Sequence, residues 1–199
     1  MAAVARLKRG FSLLRPGECG ILGRMATDPI KLRVLAQKAD GENWKFRQFL
    51  KQRCELEEEE LDKLVFEVTR QVWAAIDCTT CANCCKEVKP TLSEEDVNRL
   101  ARRLGIERQE LINAYLQPAE AGEDNPWETK TTPCPFLKDN KCSVYEDRPA
   151  NCRGYPYLYE PRFTARLMSM LQRVSTCPIV YEVMEELKKE LGFSRGRRR

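Results

Sequence analysis

Cys78-Thr79-Thr80-Cys81-Ala82-Asn83-Cys84-Cys85 reads C-x-x-C-x-x-C-C, four thiols within eight residues. Packing alone does not call for such a density, because a cysteine buried as a small hydrophobe gains nothing from three more beside it. Two cysteines separated by two residues can turn their sulfurs towards one ion from a single turn of backbone, which is why this spacing recurs at zinc and iron–sulfur sites. Adjacent Cys84 and Cys85 are harder to place, since neighbouring side chains usually diverge and seldom close on one mononuclear ion. A cluster, two nearby metals or one thiol outside the ligand set would each resolve the pair. The block follows directly on a helical pattern that ends near Asp77, so the centre of the chain is organised by thiols rather than by a regular element.

Outward from this block stand Cys134, Cys142, Cys152 and Cys177, each beside helix-breaking residues: Pro133 and Pro135, Arg148-Pro149 and Pro178. Rigid turns would hold their thiolates in place. Eight cysteines from Cys78 to Cys177 permit two four-sulfur sites, or one site and spare thiols. Lys86 and Lys89 are the only cations near the first block, so a metal must itself supply most of the field that favours thiolate. Arg148, Arg153, Tyr145 and Tyr155 border the second group, either as donors to sulfur and a surface for an anionic partner, or as ion pairs and core aromatics. Isolated Cys19 and Cys54 read as buried small hydrophobes. A thioredoxin-like dithiol would need a strand before C-x-x-C, and helical flanks argue against it.

The 199 residues include ten cysteines and no histidine, which excludes a Cys-His dyad, a Ser-His-Asp triad and any mixed Cys-His zinc finger. No apolar run approaches the roughly 20 residues of a bilayer crossing, so no membrane is expected. The net charge of +4 gathers at the ends, with Arg195, Arg197, Arg198 and Arg199 behind and Arg6, Lys8, Arg9, Arg15 and Arg24 in front. The nearly balanced middle argues against nucleic acid as a partner, and no protein partner can be read. Residues 1–25 offer only Phe11-Ser12-Leu13-Leu14 as an apolar stretch, too little for a secretory signal, so a cytoplasmic location is expected. The reading favoured for this segment is an extension ahead of a start at Met25, with an organellar transit peptide as the alternative.

Periodicity predicts helix from Asn43 to Asp77, with Trp44, Phe46, Phe49 and Leu50 first and Leu61, Leu64, Val65, Val68, Val72 and Ile76 after. Glu57-Glu58-Glu59-Glu60 suits the first turn of the stronger stripe. Ser93-Glu94-Glu95-Asp96 opens a further helix with a capping-box pattern, ended by Gly105, and another runs from about Arg108 to Leu116. Residues 117–133 read as a long surface loop. Lys138-Asp139-Asn140-Lys141 turns a small hairpin, although it lacks the glycine that usually marks one. The last helix starts after Thr176 with Pro178 in its first turn. The fold class is mainly α, helices packed around an irregular cysteine-rich metal-binding centre, with room for one short β-hairpin. The expected parts are a basic, disordered extension (1–25), a helical region (26–77), a cysteine-cluster metal-binding domain (78–180), a C-terminal helix (181–193) and a basic tail (194–199).

These blocks, with Cys134-Pro135-Phe136-Leu137, Cys142-Ser143-Val144-Tyr145 and Arg148-Pro149-Ala150-Asn151-Cys152-Arg153-Gly154-Tyr155-Pro156, resemble the YkgJ-type cysteine cluster family, zinc- or iron-chelating domains named for CxxCxxCC. Cys177-Pro178 is similar to a late cysteine often seen in such proteins, so the resemblance covers about residues 78–180. It implies metal chelation, with iron–sulfur binding suspected in relatives that include flagellin lysine methylases, and it supplies no activity for this chain. The leading expectation is a metal-binding protein in which Cys78, Cys81, Cys84, Cys85, Cys134, Cys142, Cys152 and Cys177 hold zinc, or iron as a 4Fe-4S cluster. The alternatives are an iron–sulfur-dependent oxidoreductase or group-transfer enzyme, and a zinc-stabilised RNA- or protein-binding adaptor. Spacing does not separate zinc from iron, though all-cysteine ligation and the crowded Cys84-Cys85 pair tilt towards iron–sulfur.

Overall fold

Asp28 starts the first described helix by accepting, through Oδ1, the N–H groups of Ile30 (2.9 Å) and Lys31 (3.0 Å), with Pro29 pre-set for the first turn. The structure, a computed structural model, describes residues 27–193; the expectations for residues 1–25, Cys19 and the tail 194–199 lie outside the described residues. Helix α1 (Pro29–Gln52) begins well before the predicted Asn43. Its buried stripe runs Leu32, Ala36, Ala39, Asn43, Phe46 and Leu50, and two small alanines with exposed Ile30 and Val34 hide that period from a hydrophobicity pattern. Between the two helical stretches the chain breaks at residues 53–57, and α2 (Glu58–Ala75) starts on the acidic run as predicted. Glu60 Oε2 accepts the Glu57 N–H at 3.3 Å.

The described residues divide into two compact units, one made of the segments 27–77 and 156–193, the other of Cys78–Tyr155. In the first, α9 (Pro178–Glu190) packs on α2 and α1, and α8 (Leu167–Arg173) follows a 3-10 turn at Phe163–Arg166. Asp62, buried on α2, accepts the backbone N–H groups of Arg162 (2.7 Å) and Phe163 (2.9 Å), which pins that turn and seats Phe163 in the core. Lys188 is buried with carboxylates from both sides, Glu185 at 2.6 Å and Glu42 at 3.6 Å. No described helix is long and apolar enough to cross a membrane.

The second unit is held by Leu92, Val97, Leu100, Leu111, Leu116, Phe136 and Val144, with Cys134 and Cys142 packed against this core. It begins with two short helical pieces, α3 (Cys78–Cys81) and α4 (Asn83–Glu87), then strand β1 (Thr91–Leu92). Helix α5 (Glu94–Leu104) matches the reading of the sequence: Ser93 Oγ accepts the Asp96 N–H at 3.1 Å, and Gly105 closes it at φ 67°, a left-handed position that glycine adopts without a Cβ penalty. Helix α6 is Arg108–Tyr115.

The stretch 117–133 is not wholly the loop expected. Strand β2 (Leu116–Pro118) pairs antiparallel with β3 (Trp127–Thr129), which also pairs with β1, giving the order β1-β3-β2. Strands of two or three residues are too short for alternation to show, and side chains tie them instead: Asn125 Nδ2 donates to Thr91 Oγ1 and Trp127 Nε1 to Glu94, both at 3.0 Å. The hairpin exists, β4 (Leu137–Lys138) against β5 (Lys141–Cys142). Asp139 (φ 49°) and Asn140 (φ 61°) take the two left-handed positions of its turn, which short polar side chains tolerate in place of glycine. The short helix α7 (Ala150–Gly154) ends the unit, and the described residues are mainly α.

Candidate metal centre

The first cysteine block is bent rather than straight. Cys78 and Cys81 occupy α3, Cys84 and Cys85 occupy α4, and buried Ala82 joins them in a left-handed conformation at φ 54°. One residue in that region breaks the helical path, so the four thiols are not spread along a single rod.

Hydrogen bonds to backbone carbonyls join this block to the hairpin. The Cys134 N–H donates to the Cys85 carbonyl at 2.7 Å, and Asn140 Nδ2 donates to the Thr80 carbonyl at 2.6 Å. The hairpin sets Cys142 opposite Leu137, and the Leu137 N–H closes a turn on the Cys134 carbonyl at 3.0 Å. Cys152 lies on α7.

Electrostatics report the result of this convergence. Cys152 is pushed far up by burial first and then by the charges of Cys134, Cys85 and Cys142. Cys134 is pushed up to about 11, by burial and then by Cys85 and Cys142, while hydrogen bonds from the Phe136 and Leu137 N–H groups oppose the rise. Burial also raises Cys142, countered by the Val144 N–H, and Cys81, countered by the Asn83 N–H. Cys85 goes the other way, down to about 7, because the Cys84 thiol donates to its sulfur; burial resists and Lys86 assists. Cys81, Cys84, Cys85, Cys134, Cys142 and Cys152 are thus brought together, and Cys78 joins Cys81 on α3.

Cys177 belongs to the other unit, buried at the N-cap of α9. Cys54 is half-buried between α1 and α2, its thiol raised by desolvation. None of the nine described cysteines forms a disulfide. Of the two lysines expected near the first block, Lys86 acts on Cys85 and Cys81, whereas Lys89 pairs with Glu128 at 3.6 Å. The Arg148 guanidinium lies 3.8 Å from the centre of the Tyr145 ring, and Arg153 Nε donates to the Arg148 carbonyl at 3.0 Å. The local donor to Cys85 was missing from the reading of the sequence, as were the hydrogen bonds from Arg99 of α5 to the Asp147 and Arg148 carbonyls. Only the adjacency of Cys84 and Cys85 hinted at the first.

A metal must be compatible with these residues, and the chemistry fits. The candidate donors are all soft sulfur, which suits zinc and iron–sulfur centres and disfavours magnesium or calcium. Backbone N–H groups two residues on from Cys81, Cys134 and Cys142 point at their sulfurs, stabilising the thiolate form. Among the described residues, no group of three or more Cys, Asp or Glu side chains is drawn into a ready coordination shell. Neighbouring thiols resist ionising together, as Cys134 and Cys152 show, and a bound cation reverses that resistance.

The fold thus carries the candidate cysteines of this unit on a hairpin and short helices. Residues 77–178, just over half of the chain, match the CxxCxxCC family model, described as "Putative zinc- or iron-chelating domain", and the chain belongs to that family. Comparison with curated proteins and with solved structures gave no match.

Proposed function

We propose that the protein is a thiolate metal carrier in which Cys78, Cys81, Cys84, Cys85, Cys134, Cys142, Cys152 and Cys177 supply the ligands for zinc or iron, with a 4Fe-4S cluster as the preferred form. The observation that carries the reading is the mutual influence of the Cys85, Cys134, Cys142 and Cys152 thiols, joined through the Cys134 N–H to Cys85 carbonyl hydrogen bond. Cys177 enters on its place in the sequence pattern alone. Adjacent Cys84 and Cys85 favour iron–sulfur, because a cluster presents several metal corners to one short stretch of backbone. A cluster would supply one-electron chemistry, and zinc would supply rigidity. The chain's own part is to hold sulfurs in reach, aim N–H groups at them and keep water from the more buried ones.

The test is anaerobic purification with metal and acid-labile sulfide measured per chain, and a visible spectrum. Iron with stoichiometric sulfide and broad visible absorption is the expected result. Colourless protein with one or two zinc ions would keep the chelation and replace the cluster. Folded protein that takes up neither metal would sink the reading.

A further inference from the structure

Between Cys142 and Cys152 the chain has no regular element until α7, so something else must set the spacing of these two thiols. Helix α5 does so. Arg99 Nε donates to the Asp147 carbonyl at 3.3 Å and Nη2 to the Arg148 carbonyl at 3.1 Å. Asp96 accepts Arg99 Nη2 through Oδ1, and the same oxygen accepts the Ala150 N–H at 3.2 Å. One carboxylate and one guanidinium therefore take up three backbone groups within four residues, and Pro149, between them, has no N–H to offer.

A cap alone would not need this arrangement. Closing the α5 capping box occupies only Asp96 Oδ2, which accepts the Ser93 N–H at 3.2 Å, and such a carboxylate ordinarily sits at the surface. Asp96 is 2% exposed and the Arg99 side chain 22%, so the pair is held against the fold at a desolvation cost that only fully used hydrogen bonds offset. Val97 and Leu100 of the same helix lie in the core with Val144, two residues beyond Cys142. Cys142, through Val144, and Cys152, through Ala150, are thereby referred to one helix.

We infer that Asp96 and Arg99 are positioning residues for the metal centre, a clamp from α5 that presents Cys152 to the hairpin cysteines before any metal arrives. The inference rests on the chelation proposed above. Groups that orient metal ligands typically change affinity by ~10–100-fold when removed, and that is the loss expected for Arg99→Met.

The experiment is a Zn2+ competition titration against a chromophoric chelator, on reduced full-length protein under argon. Wild type, Arg99→Met, Arg99→Lys, Arg103→Gln and Gly105→Ala would be compared, with hydrogen exchange of residues 147–152 in the metal-free state. Arg99→Met should weaken zinc and speed exchange in that segment, and Arg99→Lys should recover part of both. Arg103→Gln removes only the exposed 3.3 Å pair with the Asp147 side chain and should stay within about fivefold of wild type. Gly105→Ala strains α5 without touching the clamp and should leave zinc affinity unchanged. If Gly105→Ala loses as much affinity as Arg99→Met, the role is general stability and the inference fails. If both Arg99 variants bind zinc like wild type, it also fails while chelation stands. Should Arg99→Met not fold, Arg99→Lys decides. Wild type that takes up neither zinc nor, on anaerobic reconstitution, iron would remove the proposed function and the clamp together. If it takes up iron alone, the same variants are compared by iron retained per chain, and equal retention in wild type and both Arg99 variants overturns the clamp.

Discussion

Cys85 should be far more reactive than Cys134 in the metal-free protein, by a margin its surroundings allow to be worked out. Its thiol is brought down to about 7 by the Cys84 donor, while Cys134 is pushed up to about 11 by burial and neighbouring thiolates. At pH 7 about half of Cys85 is thiolate against roughly one part in ten thousand of Cys134, a ratio of about 5,000. A thiolate of lower basicity is a weaker nucleophile by about 0.4–0.5 log units per pKa unit, which removes a factor of about 60 and leaves Cys85 ahead by ~80-fold. The assay is timed alkylation with iodoacetamide on chelator-treated, reduced protein, quenched and mapped by peptide mass spectrometry from pH 5.5 to 9. The Cys85 rate should rise with a midpoint near pH 7, and Cys84→Ala should move that midpoint upward and slow Cys85 at neutral pH. Equal labelling of Cys134 and Cys85 at pH 7, or a Cys85 midpoint unchanged by Cys84→Ala, would refute the donor argument.

Metal loading should abolish this selectivity, protecting Cys85 and Cys134 alike, in a repeat of the same mapping after reconstitution. Glu182, 2% exposed on α9, has its carboxyl raised to about 7 by burial first and then by Glu186 and Glu185. Its contribution is therefore fully present below the ordinary carboxylate range and is lost as pH rises through about 7. Glu182→Gln should stabilise by about 2–3 kcal/mol at pH 8 and by nothing at pH 4, read from urea melts. Asp62→Ala leaves the Arg162 and Phe163 N–H groups without their acceptor and should cost about 3 kcal/mol in the same melts, with the loss confined to the helical unit. Gly105→Ala puts a side chain at φ 67° with open space around it, so its cost should be pure backbone strain, about 1–2 kcal/mol, measured as a shift in the unfolding midpoint of the cysteine unit.

Elements whose causes are local were the legible ones. Helix α5 announces both ends within thirteen residues, since Ser93 and Asp96 cap it and Gly105 stops it. The hairpin was legible without glycine because Asp139 and Asn140 can both adopt the left-handed region. The three-stranded sheet was not, as Thr91–Leu92 pairs with a strand dozens of residues away and strands of two or three residues carry no period of their own. The start of α1 was missed for the opposite reason: Ala36 and Ala39 pack as well as larger residues where helices come close, yet contribute little to a hydrophobic stripe.

The metal centre divides along the same line. Cysteine spacing is a local property, and it marked the ligand candidates. What orients them is not local: Asp96 looks in sequence like an ordinary capping residue and Arg99 like its i,i+3 partner on a solvated helix face, a pairing worth a few tenths of a kcal/mol. Only their burial and their reach to residues 147–150 separate them from that description. The Cys84-Cys85 pair shows the converse. Its adjacency looked like an obstacle to binding one ion, but a donor immediately beside Cys85 lowers the cost of the first thiolate. Cys81, Cys134, Cys142 and Cys152 are each opposed by burial and by neighbouring thiols, so the first negative charge is the hardest to place, and it falls where the chain has set a hydrogen-bond donor to receive it.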